Sequence, residues 1–231
     1  MKSLRKLVLM LVLLLSISAI NVYAEEAGVT GSIGTAVFYN YVWRGMLQHS
    51  GTAIQPDVNI GYSGLLLDVW SDFRTVSNVW HETDFTLSYS IQTLPEFLYI
   101  TLGAIAYTVT GLNEVYDGYV TIGFKTFADI SLTGYAGNSE GNNGSVFTIL
   151  HVLHSFELAK DFTFDPCLAF ATNYVKIPYR NYYGEIAVPL NYTFSKHLTV
   201  GATYVLDVGN KMVNRTDGVI SYGGAYITAS L

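Results

Sequence analysis

Seven acidic residues, Asp57, Asp68, Asp72, Asp84, Asp165, Glu185 and Asp207, fall on the less apolar face of a series of alternating stretches, together with the bases Arg44 and Lys125. Side chains of one parity that enclose water would give an acid-rich interior, which attracts cations because low-dielectric walls focus its field. Catalysis is the rival chemistry. A hydrolase needs a serine and a histidine within hydrogen-bond reach and a third group to orient them, and His151, His154 and Ser155 are the candidates. Adjacent residues of a strand point to opposite faces, which separates His154 from Ser155, and His151 shares a face with Ser155 but stands about 13 Å along the strand from it. No catalytic residues are therefore expected. His49, His81 and His197 fall in expected loops or turns without metal-ligand spacing, and the glycines near Gly141 and Gly144 lack the helix and lysine of a phosphate cradle. Neither a metal nor a cofactor is expected.

The elements that must position the acids are strands. From Val29 to Trp43, Val29, Ile33, Val37, Tyr39, Tyr41 and Trp43 alternate with Thr30, Ser32, Gly34, Ala36, Asn40 and Arg44; period-two alternation is the mark of a half-buried strand. After an expected loop from Gly45 to Thr52, Ile54, Val58, Ile60 and Tyr62 alternate with Gln55, Asp57 and Asn59. The same rhythm continues to the C-terminus and predicts about 12 strands, or 10 if the fifth or eighth, whose faces are the least distinct, is misread. Aromatic residues at the ends of the apolar face, Tyr39, Tyr41, Trp43, Tyr62, Tyr89, Phe162, Tyr192, Phe194 and Tyr204, are expected to form an interfacial belt. Pro166 cannot donate to a ladder, and a bulge or weak pairing is expected there. Long connections (Gly45–Thr52, Arg74–His81, Thr108–Asp117) alternate with short ones (Ser63–Gly64, Gln92–Glu96, Phe127–Asp129), as in outer-membrane barrels.

The N-terminus reads as a secretory signal: Lys2, Arg5 and Lys6, an apolar run from Leu7 to Ile20, and Val22-Tyr23-Ala24 before Glu25. Residues 1–24 are expected to be removed, leaving 25–231 as one barrel domain. Without Lys2, Arg5 and Lys6, nine basic residues face 18 acidic ones, a net charge of −9 that argues against a nucleic-acid partner. Cys167 is the only cysteine, so an intrachain disulfide is impossible, and a small packing role is expected for it. Past the signal, no apolar run is long enough for a helical span.

The stretch Phe38-Tyr39-Asn40-Tyr41-Val42-Trp43-Arg44-Gly45, followed by Gln48 and Ala53-Ile54-Gln55-Pro56, resembles the opening of the TorF-type porins, a family of bacterial outer-membrane proteins. The likeness is strongest from Phe38 to Phe73. It implies an all-β, single antiparallel transmembrane β-barrel with a channel role, and it carries no catalytic residue. The terminal Leu231 departs from the Phe or Trp that more often ends such chains.

Together these features predict a bacterial outer-membrane porin giving passive passage to small cationic or neutral solutes, lined by Arg44, Asp57, Asp68, Asp72, Asp84, Lys125, Asp165, Glu185 and Asp207. The alternatives are a non-conducting structural barrel, in which the acids pair with Arg44, Lys125 and tyrosine hydroxyls, and a lipid-acting enzyme. Expected partners are outer-membrane lipid, small solutes and the export and barrel-assembly machinery. Arg44 is expected near the extracellular rim, where it can pair with Asp57 or an acid of the third strand.

Overall fold

A computed structural model of the chain describes residues 28–91, 94–111, 115–138, 145–174, 180–209 and 218–231; the expected signal segment and the centre of the loop around Gly141 and Gly144 lie outside them. Fifteen strand segments follow one another: β1 (Val29–Trp43), β2 (Met46–Tyr62), β3 (Leu65–Arg74), β4 (Val79–Ser90), β5 (Leu98–Val109), β6 (Val115–Lys125), β7 (Asp129–Gly137), β8 (Ser145–Leu153), β9 (Phe156–Ala159), β10 (Phe162–Phe164), β11 (Cys167–Tyr174), β12 (Arg180–Ala187), β13 (Leu190–Ser195), β14 (Leu198–Gly209) and β15 (Val219–Ser230). Three neighbouring pairs, β8 with β9, β10 with β11 and β12 with β13, are halves of single staves, so the wall has the expected 12 strands. All pairings are antiparallel, and β15 closes the ring on β1 from Ser32↔Ser230 to Phe38↔Gly224. Closure satisfies every edge, which a membrane wall requires.

The three broken staves stand side by side, and two of the breaks contain a proline, Pro166 and Pro189. Proline removes a ladder donor, and the nearby amides bridge the gap: His154 N donates to Pro166 O at 3.2 Å, Asp165 N to Pro189 O at 3.0 Å and Val188 N to Tyr204 O at 2.9 Å. The weak pairing expected at Pro166 is present.

The alternation reads correctly along most of the wall. Ile33, Val37, Ile54, Val58, Ile60, Leu67, Leu87, Leu102, Ile122, Leu132, Leu150 and Leu168 are exposed on the outer surface, an apolar band far beyond what a protein in water tolerates and suited to lipid. Tyr62, Tyr89, Tyr192 and Phe194 are exposed near the end that carries the termini and Ser63–Gly64, with Phe162 directly opposite Tyr192 in the ladder; Tyr39 and Tyr204 are exposed further up.

Two expectations fail in the same place. Gly45–Thr52 is not a loop: β1 and β2 run for 15 and 17 residues and meet in a tight turn in which Arg44 (φ 49°) and Gly45 (φ 72°) both take positive φ, the geometry of a type I′ hairpin turn. The expected Arg74–His81 loop likewise shrinks to residues 75–78, so the long-short rhythm is uneven. The second failure is one of face. Tyr41 is 5% exposed where Tyr39 is 65%, and Trp43 packs on the inward Tyr107 with ring centroids 5.8 Å apart. Neither belongs to the belt. Asn40 takes φ 84°, and the β1–β2 register shifts between Tyr39 and Val42, so a bulge reverses which parity faces in.

Candidate channel interior

The bulge has a counterpart on the facing strand. Gly51 has φ 93°, and its N–H donates to Asn40 Oδ1 at 3.2 Å. Above this level the hairpin leaves the wall: pairing of β1 with β15 ends at Phe38↔Gly224, and pairing of β2 with β3 ends at Ala53↔Arg74. The tip, Tyr41 to Ser50, pairs with itself through Tyr41↔His49, Val42↔Leu47 and Trp43↔Met46 and leans into the barrel. Most staves have the 9 to 12 residues that a span needs; the excess length of β1 and β2 is this tip.

On its near side the tip meets a polar wall. Asp72 on β3 is fully buried, with His49 Nε2 2.7 Å from its Oδ2 and Gln55 Nε2 donating to Oδ1 at 3.3 Å. The Tyr41 hydroxyl donates to Glu82 Oε2 at 2.8 Å, and its ring lies against Trp70, His49 and His81. A buried carboxylate is tolerated only when hydrogen-bonded; these contacts supply that. His49 and His81, expected in loops, are therefore strand residues of the interior. His49 was misplaced with the β1–β2 hairpin, and His81 with the expected Arg74–His81 loop, whose last residues belong to β4.

On the far side the wall is aromatic. Tyr119, Tyr135, Phe147 and Tyr183 form an arc with successive ring centroids 5.5, 5.8 and 6.3 Å apart. Phe147, Ile149, Ala169, Ala171 and Tyr183 are a buried apolar cluster, and Met46 of the tip packs against it. That is why the eighth strand is apolar on both faces: one meets lipid, the other the tip. Arg44 reaches this wall. Its Nη2 donates to Asp117 Oδ2 at 2.9 Å and to the Tyr107 hydroxyl at 3.3 Å, and its Cζ stands 4.3 Å from the Phe147 ring centroid and 4.6 Å from that of Tyr135. Arg44 thus crosses the interior to β6 instead of pairing with Asp57 or β3. A planar guanidinium suits both a carboxylate and an aromatic face.

The remaining acids and bases take these places. Asp57 lines a cavity of about 210 Å³ below the tip, with Phe38, Gln55, Trp70, Tyr226 and Thr228; Asp68, opposite Asn59, faces in beside it. Asp84, opposite Trp70, faces in at the level of Tyr107. Glu185 and Asp207 are directly opposed on β12 and β14, and Asp207 is almost wholly buried. Asp165, at a stave break, accepts from Thr163 Oγ1 at 2.9 Å and from Ser155 and Asn191. Lys125 lies at the lower rim with Nζ 5.4 Å from the Tyr99 ring centroid. The sequence reading missed Arg74 and Asp117, which it left in loops, and Glu82, which it assigned to no strand face. Extended alternation through Glu82-Thr83-Asp84 and Asp117-Gly118-Tyr119 was the available signal. A second cavity, of about 200 Å³, separates the tip from the wall and is lined by Trp43, Gln48, His81, Glu82 and Tyr107.

The hydrolase candidates are apart. Ser155 donates to Asp165, while the His154 ring packs edge-on to Phe156 at 4.4 Å.

No protein-family model matches the chain, and no curated protein matches it. Solved structures do. The KdgM porin shares 13% identity with a TM-score of 0.59, covering 87% of this chain and 99% of the porin. For the NanC porin the figures are 13%, 0.57, 86% and 98%, and for an outer membrane channel from Pseudomonas putida 9%, 0.54, 88% and 95%. The chain has the fold of these outer-membrane barrels.

Proposed function

We propose that this protein is an outer-membrane channel of the TorF type that passes small cationic or neutral solutes and narrows at the inward β1–β2 tip. The observation that carries it is the inward excess of acids: Asp57, Asp68, Asp72, Glu82, Asp84, Asp117, Glu185 and Asp207 against Arg44, Arg74 and Lys125. The lipid-compatible outer face and the fold shared with porins support it. The barrel would sit in outer-membrane lipid, delivered by export and assembly machinery. Reconstitution in a planar bilayer tests the reading: discrete currents with a reversal potential shifted toward cation permeation under a salt gradient are expected.

A specific observation favours a second reading. The tip occupies the upper interior, Met46 packs on an apolar cluster, and Asp72, Glu82 and Asp117 around it are hydrogen-bonded, as in a braced, closed barrel. The absence of current at any voltage in a correctly folded sample would select it.

A further inference from the structure

The tip carries its own cation into a pocket built for one. Arg44 brings its guanidinium against Trp43 of the tip and against Phe147, Tyr135, Tyr107 and Asp117 of the far wall; its side chain and that of Asp117 are 8% and 2% exposed. The wall side of this cage belongs to β5, β6, β7 and β8, whose ladders are continuous, whereas the tip has left the ladders of the neighbouring staves above the Asn40–Gly51 level and is held there by side-chain contacts. One half of the site is rigid and the other half is hinged. Aromatic faces closing on a cation beside one carboxylate are a general means of holding organic cations.

We propose that the cage of Tyr107, Asp117, Tyr135 and Phe147 is a binding site for solutes bearing a guanidinium or a similar flat organic cation, and that Arg44 is its tethered occupant. A solute that enters the cage displaces Arg44 and releases the tip from the far wall. The site deepens the channel reading and rests on it for the consequence of release, an opened path. Arg44 as an intramolecular ligand competes at high effective concentration, so binding is weak and solute must be present at millimolar levels to shift the balance. Only a ligand that prefers the displaced state can shift it.

The test reports on the tip without needing current. Met46→Cys, in a Cys167→Ser background, places a thiol where the tip meets the far wall. Labelling of the purified barrel by a soluble thiol reagent is followed with and without millimolar methylguanidinium, far below the molar concentrations at which guanidinium unfolds proteins. Labelling at least fivefold faster with methylguanidinium, and no faster with potassium at equal ionic strength, is expected. Asp117→Asn should label rapidly without ligand and lose the response. If Met46→Cys does not assemble, as judged by heat-dependent migration on a denaturing gel, Gln48→Cys serves as the reporter. A labelling rate that methylguanidinium leaves unchanged in folded barrels overturns the proposal. Currents measured in parallel separate the two readings: a responsive tip in a barrel that never conducts keeps the site and ends the channel reading, whereas a conducting barrel with an unresponsive tip does the reverse.

Discussion

The two walls that grip the β1–β2 tip do so by different physics. On the β3–β4 side the contacts are polar pairs: His49 with Asp72, Tyr41 with Glu82. On the β5–β12 side they are dispersive and aromatic, with Met46 in the apolar cluster and Arg44 over two rings, and among the described residues Asp117 is the carboxylate that meets the charge. A polar pair is directional and fails when one atom moves, while an apolar cluster tolerates sliding. The difference teaches that the polar wall fixes the register of the tip and the aromatic wall decides whether it stays inside.

The largest disturbance of that contrast should come from Arg44→Ala. It strands Asp117, almost wholly buried, without the guanidinium, and breaking one partner of a buried pair costs about 3 to 5 kcal/mol. We expect a lower unfolding midpoint in denaturant by a matching amount. In the double variant with Asp117→Asn a good part should return, because no charge is then left stranded. A single variant as stable as the parent would mean that the aromatic wall alone holds the tip.

On the other wall, His49→Ala removes a partner of the fully buried Asp72 and leaves Gln55, with His81 Nδ1 3.8 Å away, to hold it. Hydrogen bonds to charged groups contribute about 1.5 to 3 kcal/mol, so the loss should be smaller than at Arg44. Thiol labelling at Gln48→Cys should accelerate less than in Arg44→Ala, since register is lost but the far contact remains. Equal acceleration in both variants would erase the distinction between the walls.

How much of this the sequence disclosed follows from the same contrast. The outer face was legible because lipid demands one thing of every stave: Ile54, Val58 and Ile60, or Ile186, Leu190 and Tyr192, keep strict period two. The polar interior was legible for the same reason, and Asp57, Asp68, Asp72 and Asp84 lie where parity puts them. The tip was not, because a bulge costs one residue and flips everything above it. Tyr41 and Trp43 continue the parity of Tyr39 in sequence yet point the other way in space, and only the positive φ of Asn40 reveals why. Gln48, His49, Ser50, Gly51 and Thr52 form a polar, small-residue run that resembles a loop, because the tip answers to contacts inside the barrel and not to a lipid face. Arg44 could be assigned to the interior, but Asp117 as its partner is a contact across the lumen, and no local pattern encodes that.

A gentler probe of the aromatic side is Met46→Ala. Full truncation of a buried methionine costs about 2 to 5 kcal/mol; Met46 is only half-buried, so about 1 kcal/mol is expected, seen as a small shift of the denaturant midpoint. Its more telling readout is the tip: labelling at Gln48→Cys should rise modestly while His49 keeps the register.

The smallest structural effect, and the cleanest functional one, should come from Asp57→Asn with Asp68→Asn. Both carboxylates face the interior below the tip, Asp57 in its cavity and Asp68 on the adjacent stave, and among the described residues neither forms an ion pair with a base. An amide fills nearly the same volume, so folding and heat-dependent migration should be unchanged. Two negative charges nevertheless disappear from a low-dielectric interior where potentials are focused. If solute passes beneath the tip, the reversal potential under a salt gradient must move toward anion permeation, and more so at low ionic strength, where screening is weaker. Unchanged selectivity in the double variant, or anion preference in the parent, would place the conducting path elsewhere and leave these acids as bracing for the wall.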